Sequence, residues 1–283
     1  MVEKRGTLGI VAHVVMVLGV LMVAFPLYLA FVASTHTAQE IVQAPMPLLP
    51  GSHMWETYKS ALFGGGAGSG STAPVARMMW VSLVTALVIA IGKIAISLLS
   101  AFAIVYFRFP FKKTVFWMIF VTLMLPVEVR ILPTYKVLSD LHLLNSYAGL
   151  TIPLIASATA TFLFRQFFLT VPEELTEAAR MDGAGPMRFF IDVLLPLSKT
   201  SIAALFVIQF IYGWNQYLWP LLATTNEDMY PVVVGIKRMI AGGDSQNEWN
   251  VVMATAILAM LPPALVVVLM QKWFVKGLVD TEK

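Results

Sequence analysis

The sequence predicts an all-α, polytopic membrane protein with six transmembrane helices. The chain of 283 residues is 58% hydrophobic and only 12% charged, whereas about 25% of the residues in a soluble domain carry a charge. Its six apolar stretches have about the length, roughly 20 residues, that a helix needs to cross about 30 Å of hydrocarbon. Cysteine is absent, which excludes a disulfide framework, a thiol nucleophile and a thiolate metal site.

Each expected span is a long apolar run. The first run follows Lys4 and Arg5 and resembles a secretory signal in that respect, but it is much longer than a signal core of about 7–15 residues, which favours a retained span. The second run contains one charged residue, Lys93, near its middle. The six expected spans are residues 8–32, 78–107, 115–133, 147–168, 202–222 and 251–274.

The distribution of Lys and Arg orients these spans. With the N-terminus in the cytoplasm, the cytoplasmic side receives twice as many basic residues as the outer side, as the positive-inside rule expects. Both termini and the loop 170–197 are then cytoplasmic, and the loop 34–77 is periplasmic. The cytoplasmic set is Lys4, Arg5, Arg108, Lys112, Lys113, Arg165, Arg180, Arg188, Lys199, Lys272, Lys276 and Lys283, and the outer set is Lys59, Arg77, Arg130, Lys136, Lys237 and Arg238.

The outer loop 34–77 is expected to be the least ordered part of the chain. It carries three prolines and then a glycine- and serine-rich run over residues 64–71, a composition typical of a flexible tether. The loop contains too little apolar sequence to form a domain of its own.

The loop 170–197 is a charged, helical island between the fourth and fifth spans. Its sequence runs Glu177-Ala178-Ala179, three residues, Gly183, nine residues, and then Val193-Leu194-Leu195-Pro196. This spacing resembles the EAA loop of ABC importer permeases, with Val193 in place of the usual Ile. The resemblance implies that the loop fits a cleft on a cytoplasmic ATPase. The coupling residues that it implies are Glu177, Ala178, Ala179, Asp182, Gly183 and Pro196.

Local physical chemistry predicts two short helices in this loop. Thr170 and Glu173 have the spacing of a capping box, and Gly183 suits a left-handed turn at a helix end. A second amphipathic helix is expected from Pro186, with Pro196 stopping it. These features alone are equally consistent with a hairpin that lies on the membrane surface without a partner; the family resemblance favours docking.

The resemblance extends over nearly the whole chain. The segments 100–110, 214–221 and 271–278 are similar to the carbohydrate-uptake branch of these permeases, and in particular to its importers of sn-glycerol 3-phosphate. This implies a single type I permease domain over residues 1–283 and transport of sn-glycerol 3-phosphate, with glycerophosphodiesters as further candidates. Import of a neutral sugar or oligosaccharide is the alternative.

The same resemblance implies partners. They are a second permease subunit, two ABC ATPase subunits that use ATP and Mg, and a periplasmic solute-binding protein. The chain itself contains no Gly-x-x-x-x-Gly-Lys-Ser/Thr phosphate loop and no clustered His and acidic residues, so we expect no bound cofactor, no metal and no enzymatic activity. A secondary transporter and an integral-membrane enzyme remain as rival classes.

Several polar residues are expected inside or beside the spans. Lys93 is expensive in hydrocarbon unless it is paired or faces a pathway; it is a candidate for substrate contact, or else it caps carbonyls or pairs with a carboxylate. Asn215, Gln216 and Tyr217 are further candidates for the substrate pathway. At the outer end of the third span, Glu128 and Arg130 form an outer gate or contact a substrate-delivering protein, or else both are simply interfacial.

Overall fold

The computed structural model describes residues 7–64, 73–122, 127–240 and 248–279. Within these ranges the regular secondary structure is helical, and no β-strand occurs. The helices are α1 (Thr7–Ser34), α2 (Ala38–Val42), α3 (Met54–Lys59), α4 (Val75–Tyr106), α5 (Lys112–Val121), α6 (Val127–Asp140), α7 (Tyr147–Thr151), α8 (Ala158–Leu169), α9 (Glu173–Met181), α10 (Pro186–Phe189), α11 (Leu195–Leu197), α12 (Lys199–Trp214), α13 (Leu218–Ala223), α14 (Val232–Ile240) and α15 (Trp249–Val279).

Three of the described helices are long and apolar enough to cross a membrane by themselves, namely α1, α4 and α15. Two further candidate spans each consist of two helical segments joined at a bend. The bend between residues 147–154 and α8 is 48°, and the bend between residues 186–197 and α12 is 72°. The third expected span, 115–133, corresponds to α5 and α6, and residues 123–126 between them lie outside the described ranges. The count of six spans therefore stays a prediction.

The fourth expected span is bent because its middle cannot continue an α-helix. After α7 the chain forms a 3₁₀ turn over Ile152–Leu154, and Pro153 within it has no backbone N–H to donate. A new helix starts when the hydroxyl of Ser157 accepts a hydrogen bond from the amide of Ala160, over 3.3 Å, as an N-cap does. The expectation of one uninterrupted helix over residues 147–168 is therefore wrong.

The chain divides into two compact units, Met1–Arg77 with Gly235–Leu261, and Met78–Val234 with Pro262–Lys283. The second unit contains two apolar clusters. One joins α4, α8, α12 and the segment 189–194, with Phe102, Phe164 and Phe190 among its members. The other joins α4, α6, α7 and α13, and is built around Trp219. Both clusters immobilise the polar segments described below.

In the first unit, residues 35–64 are folded rather than loose, which corrects the expectation for that part of the outer loop. Helix α2 begins with a capping box between Thr37 and Glu40, and the amide of Gly51 donates to the hydroxyl of Thr35 over 2.7 Å. Side-chain hydrogen bonds to the backbone hold these turns, so little apolar sequence is needed. The glycine-rich run lies mainly in residues 65–72, outside the described ranges.

Candidate coupling loop and intramembrane site

Helix α9 lies at the surface of the protein. It has no buried residue along its nine positions, and Glu177 and Ala178 are exposed while Ala179 packs at the edge of the Phe102 cluster. The expected capping box at its start is wrong: the N-cap is Pro172, with no side-chain hydrogen bond. The hydroxyl of Thr170 instead donates to the carbonyl of Phe167, over 2.7 Å, because Thr170 ends the preceding helix.

The turn after α9 is built on Gly183, as the sequence predicts. Its φ is +72°, which is the left-handed conformation that glycine adopts without a steric penalty. The amide of Ala184 donates to the carbonyl of Ala179 over 2.9 Å, and the amide of Gly183 to the carbonyl of Arg180 over 3.0 Å. This pair of hydrogen bonds is the Schellman motif, which satisfies the last carbonyls of a helix.

The second half of the loop is anchored in the core. Phe189 and Phe190 are buried in the Phe102 cluster, while Met181 and Met187 on the preceding turns are exposed, Met181 by 83%. The loop therefore has one exposed end and one end fixed between helices of the second unit.

The second helical segment of the loop ends at Leu197, one residue beyond Pro196 and close to the end that the sequence predicts. The chain forms a π-helical turn over Phe190–Leu194, closed by the amide of Leu195 donating to the carbonyl of Phe190. Helical structure then continues to Leu197, and the 72° bend follows. Since Pro196 lacks an N–H, the regular i→i−4 ladder cannot pass through it, and a single π turn, a rare element, precedes it here.

Most charged side chains of the loop 170–197 form no ion pair within the loop. Among the residues that the structure describes, its one ion pair joins Arg188 and Asp192, over 3.3 Å, an exposed i,i+4 contact worth about 0.3–0.5 kcal/mol. The carboxylate of Glu177 has no such partner within the described part of this loop. It is thus available to a basic group on another protein.

The ammonium of Lys93, on α4, is buried against α12. Its Nζ donates to Oε1 of Gln209 over 3.0 Å and lies 3.6 Å from the centroid of the Tyr212 ring. The side chains of Lys93 and Gln209 are only 6% and 7% exposed. Sequence reasoning missed Gln209 and Tyr212, although their three-residue spacing places them on one face of a helix.

The other pathway candidates directly follow α12 along the chain. Helix α12 ends at Trp214, and Asn215, Gln216 and Tyr217 form the break before α13. Gln216 donates from Nε2 to the carbonyl of Tyr212 over 3.1 Å, and Asn215 is exposed. The break lies one turn beyond Tyr212, and it interrupts the expected fifth span over 202–222.

The two outer-gate candidates lie in the first turn of α6. The side chain of Glu128 falls outside the described residues. Arg130 is exposed. The gate role of these two residues stays a prediction.

Membrane-length apolar helices, with an anchored, charged loop between the two bent candidate spans, define a polytopic helical membrane protein. The profile of the family described as "Binding-protein-dependent transport system inner membrane component" matches residues 93–280. The matched range contains Lys93, the loop 170–197 and α12. The chain belongs to this family, and it is a multi-pass protein of the inner membrane.

Individual proteins are similar over the entire length. The chain is 60% identical to the sn-glycerol-3-phosphate transport system permease protein UgpE of Brucella melitensis and 61% identical to that of Agrobacterium fabrum, with 100% of both chains covered. The crystal structure of a bacterial ABC transporter involved in the import of the acidic polysaccharide alginate matches with a TM-score of 0.76, at 23% identity, over 97% of this chain and 99% of the other. The all-α permease fold is thereby confirmed.

Proposed function

We propose that this chain is a permease subunit of an ABC importer for sn-glycerol 3-phosphate, with glycerophosphodiesters as additional substrates. The observation that carries the proposal is 60–61% identity over the full length to permeases named for sn-glycerol-3-phosphate transport. Because both chains are covered over their full length, the similarity spans the helices and the loop 170–197.

The mechanism is alternating access driven from outside the chain. This subunit forms half of the pathway and pairs with a second permease subunit, and a periplasmic solute-binding protein delivers the substrate. Two ABC ATPase subunits, which use ATP and Mg, supply the motion from the cytoplasm. Both termini and the loop 170–197 are on the cytoplasmic side, consistent with the placement of Lys and Arg.

The loop 170–197 transmits that motion. Glu177 and Ala178 lie on the exposed side of α9, where small side chains permit close approach and a carboxylate attracts a basic group. Asp182 and Gly183 shape the turn, and Pro196 enforces the π turn next to the bend. Phe189 and Phe190 connect this surface to the core of the second unit.

The substrate pathway passes the polar groups near the end of α12. Lys93 supplies positive charge, and Asn215, Gln216 and Tyr217 supply hydrogen-bonding groups suited to glycerol hydroxyls. Glu128 and Arg130 stand at the outer end of the third span as a gate. No residue of this chain hydrolyses ATP in this scheme.

The test is transport by the complete assembly in proteoliposomes. We expect uptake of sn-glycerol 3-phosphate that requires ATP, Mg and the binding protein, and weaker or no uptake of a neutral disaccharide. Chelation of Mg should abolish uptake. Uptake of the disaccharide in place of the phosphate ester would contradict the substrate assignment. Uptake that continues without ATP would indicate a secondary transporter.

A further inference from the structure

A polar pocket of about 430 Å³ lies in the first unit, lined by residues around α2 and α3 and by the start of α15. Its volume is within the range of about 300–1,000 Å³ that is usual for binding sites. None of the residues that we assign to coupling, to the substrate pathway or to the outer gate lines it. Its polar side chains include those of His53, Glu56, Thr57, Ser60, Glu248 and Asn250.

Two segments that are far apart in the sequence form this pocket together. Thr57 and Asn250 are separated by 193 positions, and Nδ2 of Asn250 donates to the hydroxyl of Thr57 over 3.4 Å. The placement of Lys and Arg puts both segments on the outer side of the membrane. The pocket therefore belongs to the surface that a periplasmic protein meets.

The pocket carries two carboxylates without a balancing cation. Glu56 is exposed and Glu248 is half-buried, and neither forms an ion pair with another described residue. The part of the wall that the structure describes contains no lysine or arginine. Lys59 lies on the same helix as Glu56, but it is exposed and outside the pocket. The pocket thus has room for a positive charge from elsewhere.

Asn250 adds a hydrogen-bond acceptor that has no donor. Its Oδ1 is buried and forms no hydrogen bond with a described residue. A buried acceptor is costly when it stays unsatisfied, and a donor that enters the pocket beside Asn250 would remove this cost. The hydroxyl of Ser60 can accept a further bond. Acceptors therefore outnumber donors in the wall, which favours a ligand group that only donates.

We propose that this pocket receives a basic side chain, lysine or arginine, of the periplasmic solute-binding protein. The inference rests on the proposed function, which supplies that partner. Ammonium and guanidinium groups carry several donors and no acceptor, and their hydrogen bonds to carboxylates are the stronger, charge-assisted kind. Glu56, being exposed, attracts the cation during the approach. Glu248, being half-buried, pairs with it in the docked state.

An open, charged pocket suits a protein side chain better than a free organic cation. Sites for small molecules bury most of the ligand in a mainly apolar wall, whereas this wall is mainly polar and Glu56 is exposed. A single exposed ion pair is weak by itself, so a free cation would gain little here. A docked protein gains from the rest of the interface, and complementary charges speed its association and fix its orientation.

The experiment measures ATP hydrolysis by the complete membrane assembly in lipid nanodiscs, where both membrane faces are accessible, as the purified solute-binding protein is titrated with sn-glycerol 3-phosphate present. We expect Glu56→Gln and Glu248→Gln each to raise the concentration of binding protein for half-maximal stimulation by about fivefold. The rate at saturating binding protein and the Tm should stay those of the wild type. The difference from wild type should shrink as the salt concentration rises, because salt screens exposed charges.

Asp140→Asn is the matched control. Asp140 is another exposed carboxylate on the expected outer side, but it pairs with Lys136 over 3.1 Å and does not line the pocket. Its variant should leave the half-maximal concentration unchanged. Wild-type values in both glutamate variants, or an equal increase in the control, would overturn the proposal.

Cross-linking identifies the occupant of the pocket. The chain contains no cysteine, so Ser60→Cys places a single thiol of this subunit at the pocket, where a benzophenone maleimide can be attached. We expect a cross-link to a peptide of the binding protein that contains lysine or arginine. A cross-link to the second permease subunit would overturn the proposal, because the pocket would then be a subunit contact.

The wild-type titration separates this inference from the proposed function. A wild-type assembly whose ATP hydrolysis ignores the binding protein would refute the proposed function and this inference with it. A normal wild-type response, combined with unchanged glutamate variants, would refute the docking pocket alone and leave the proposed function standing.

Discussion

The indole nitrogen of Trp219 donates a hydrogen bond to the backbone carbonyl of Gly149, over 3.1 Å. Trp219 is 3% exposed and Gly149 is also buried. A side chain at Gly149 would collide with the carbonyl of Leu143, so only glycine lets α7 approach its neighbours this closely. One polar contact within an apolar cluster thus fixes α13 against α7.

Trp219→Phe should lower the stability of the folded protein. The buried carbonyl of Gly149 loses its donor, which costs about 1–3 kcal/mol, and the smaller phenyl ring leaves a cavity that adds to the loss. Thermal unfolding in detergent measures this as a reduced Tm. Trp117→Phe is the control, because Trp117 is exposed on α5 and its replacement should change stability by less than about 0.5 kcal/mol. Equal effects of the two substitutions would refute the structural role of the Trp219 hydrogen bond.

Gly183→Val should abolish ATP-driven uptake while leaving membrane insertion intact. No atom would obstruct a side chain there, so the penalty comes from the backbone: a β-branched residue at a φ of +72° costs about 1–3 kcal/mol. The turn after α9 should therefore relax to another conformation. Gly183→Asn should retain more uptake, since Asn tolerates the left-handed region.

Gly185→Val is the matched control for that experiment. Gly185 is equally unobstructed, lies two residues away, and has an ordinary φ of −70°. The same added side chain should reduce uptake far less. Full uptake by Gly183→Val, measured in proteoliposomes at equal protein incorporation, would count against the role of the turn in coupling.

Glu177→Gln should weaken coupling without destabilising the permease. The carboxylate is exposed on α9 and has no ion pair in the described part of the loop, so its loss should leave the Tm nearly unchanged. Loss of a charge pair with the ATPase should reduce uptake by about tenfold, the equivalent of 1.4 kcal/mol. Glu174→Gln makes the same charge change one turn earlier and serves as control. A lowered Tm with normal uptake would reverse the interpretation.

The turns of residues 35–51 should be most stable in mildly acidic medium. The imidazole of His36 lies 2.9 Å from the carbonyl of Leu49 and 2.9 Å from the carboxylate of Glu40, so both ring nitrogens face acceptors and the protonated form satisfies both. The Leu49 carbonyl, and then Glu40, raise the pKa of His36 above its usual 6.5. The hydrogen bond from His36, and then that from the Thr37 amide, lower the pKa of Glu40 below 4.5.

The directions of the two pKa shifts define the pH range in which the turns of residues 35–51 are most stable. A raised histidine pKa adds stability that is complete below pH 6.5 and is lost as the pH rises through the raised value. A lowered carboxyl pKa adds stability that is present above pH 4.5 and is lost as the pH falls through the lowered value. Hydrogen exchange at the Gly51 amide, corrected for its intrinsic pH dependence, should slow between these limits and quicken by pH 8. His36→Phe should remove the dependence, and its persistence would exclude His36 as the cause.

Much of the fold could be predicted from composition and from the residues that form individual turns. Apolar runs predicted α1, α4 and α15 to within a few residues at most of their ends, because a membrane-length helix needs no distant partner to be recognised. The left-handed Gly183 was predictable too, since the Schellman motif is decided within six residues. The bend in the fourth expected span and the break at residues 215–217 in the fifth were missed, although Pro153 was visible, because apolar sequence continues across both.

The surroundings of Lys93 lay beyond sequence reasoning. Gln209 is 116 residues away along the chain, and only the packing of α12 on α4 brings it to the ammonium. Contacts of this kind depend on helix rotation and crossing, which a hydrophobic pattern as uniform as that of α4 does not specify.

The burial of Phe189 and Phe190 has a mechanical result. Their rings interlock with those on α4 and α8, with Phe190 centred 4.9 Å from Phe102 and Phe189 centred 5.3 Å from Tyr106. Close-packed interiors compress little, so a push on α9 reaches these rings without being absorbed on the way. In the proposed coupling role, the segment 189–194 would therefore move together with α4 as a rigid lever.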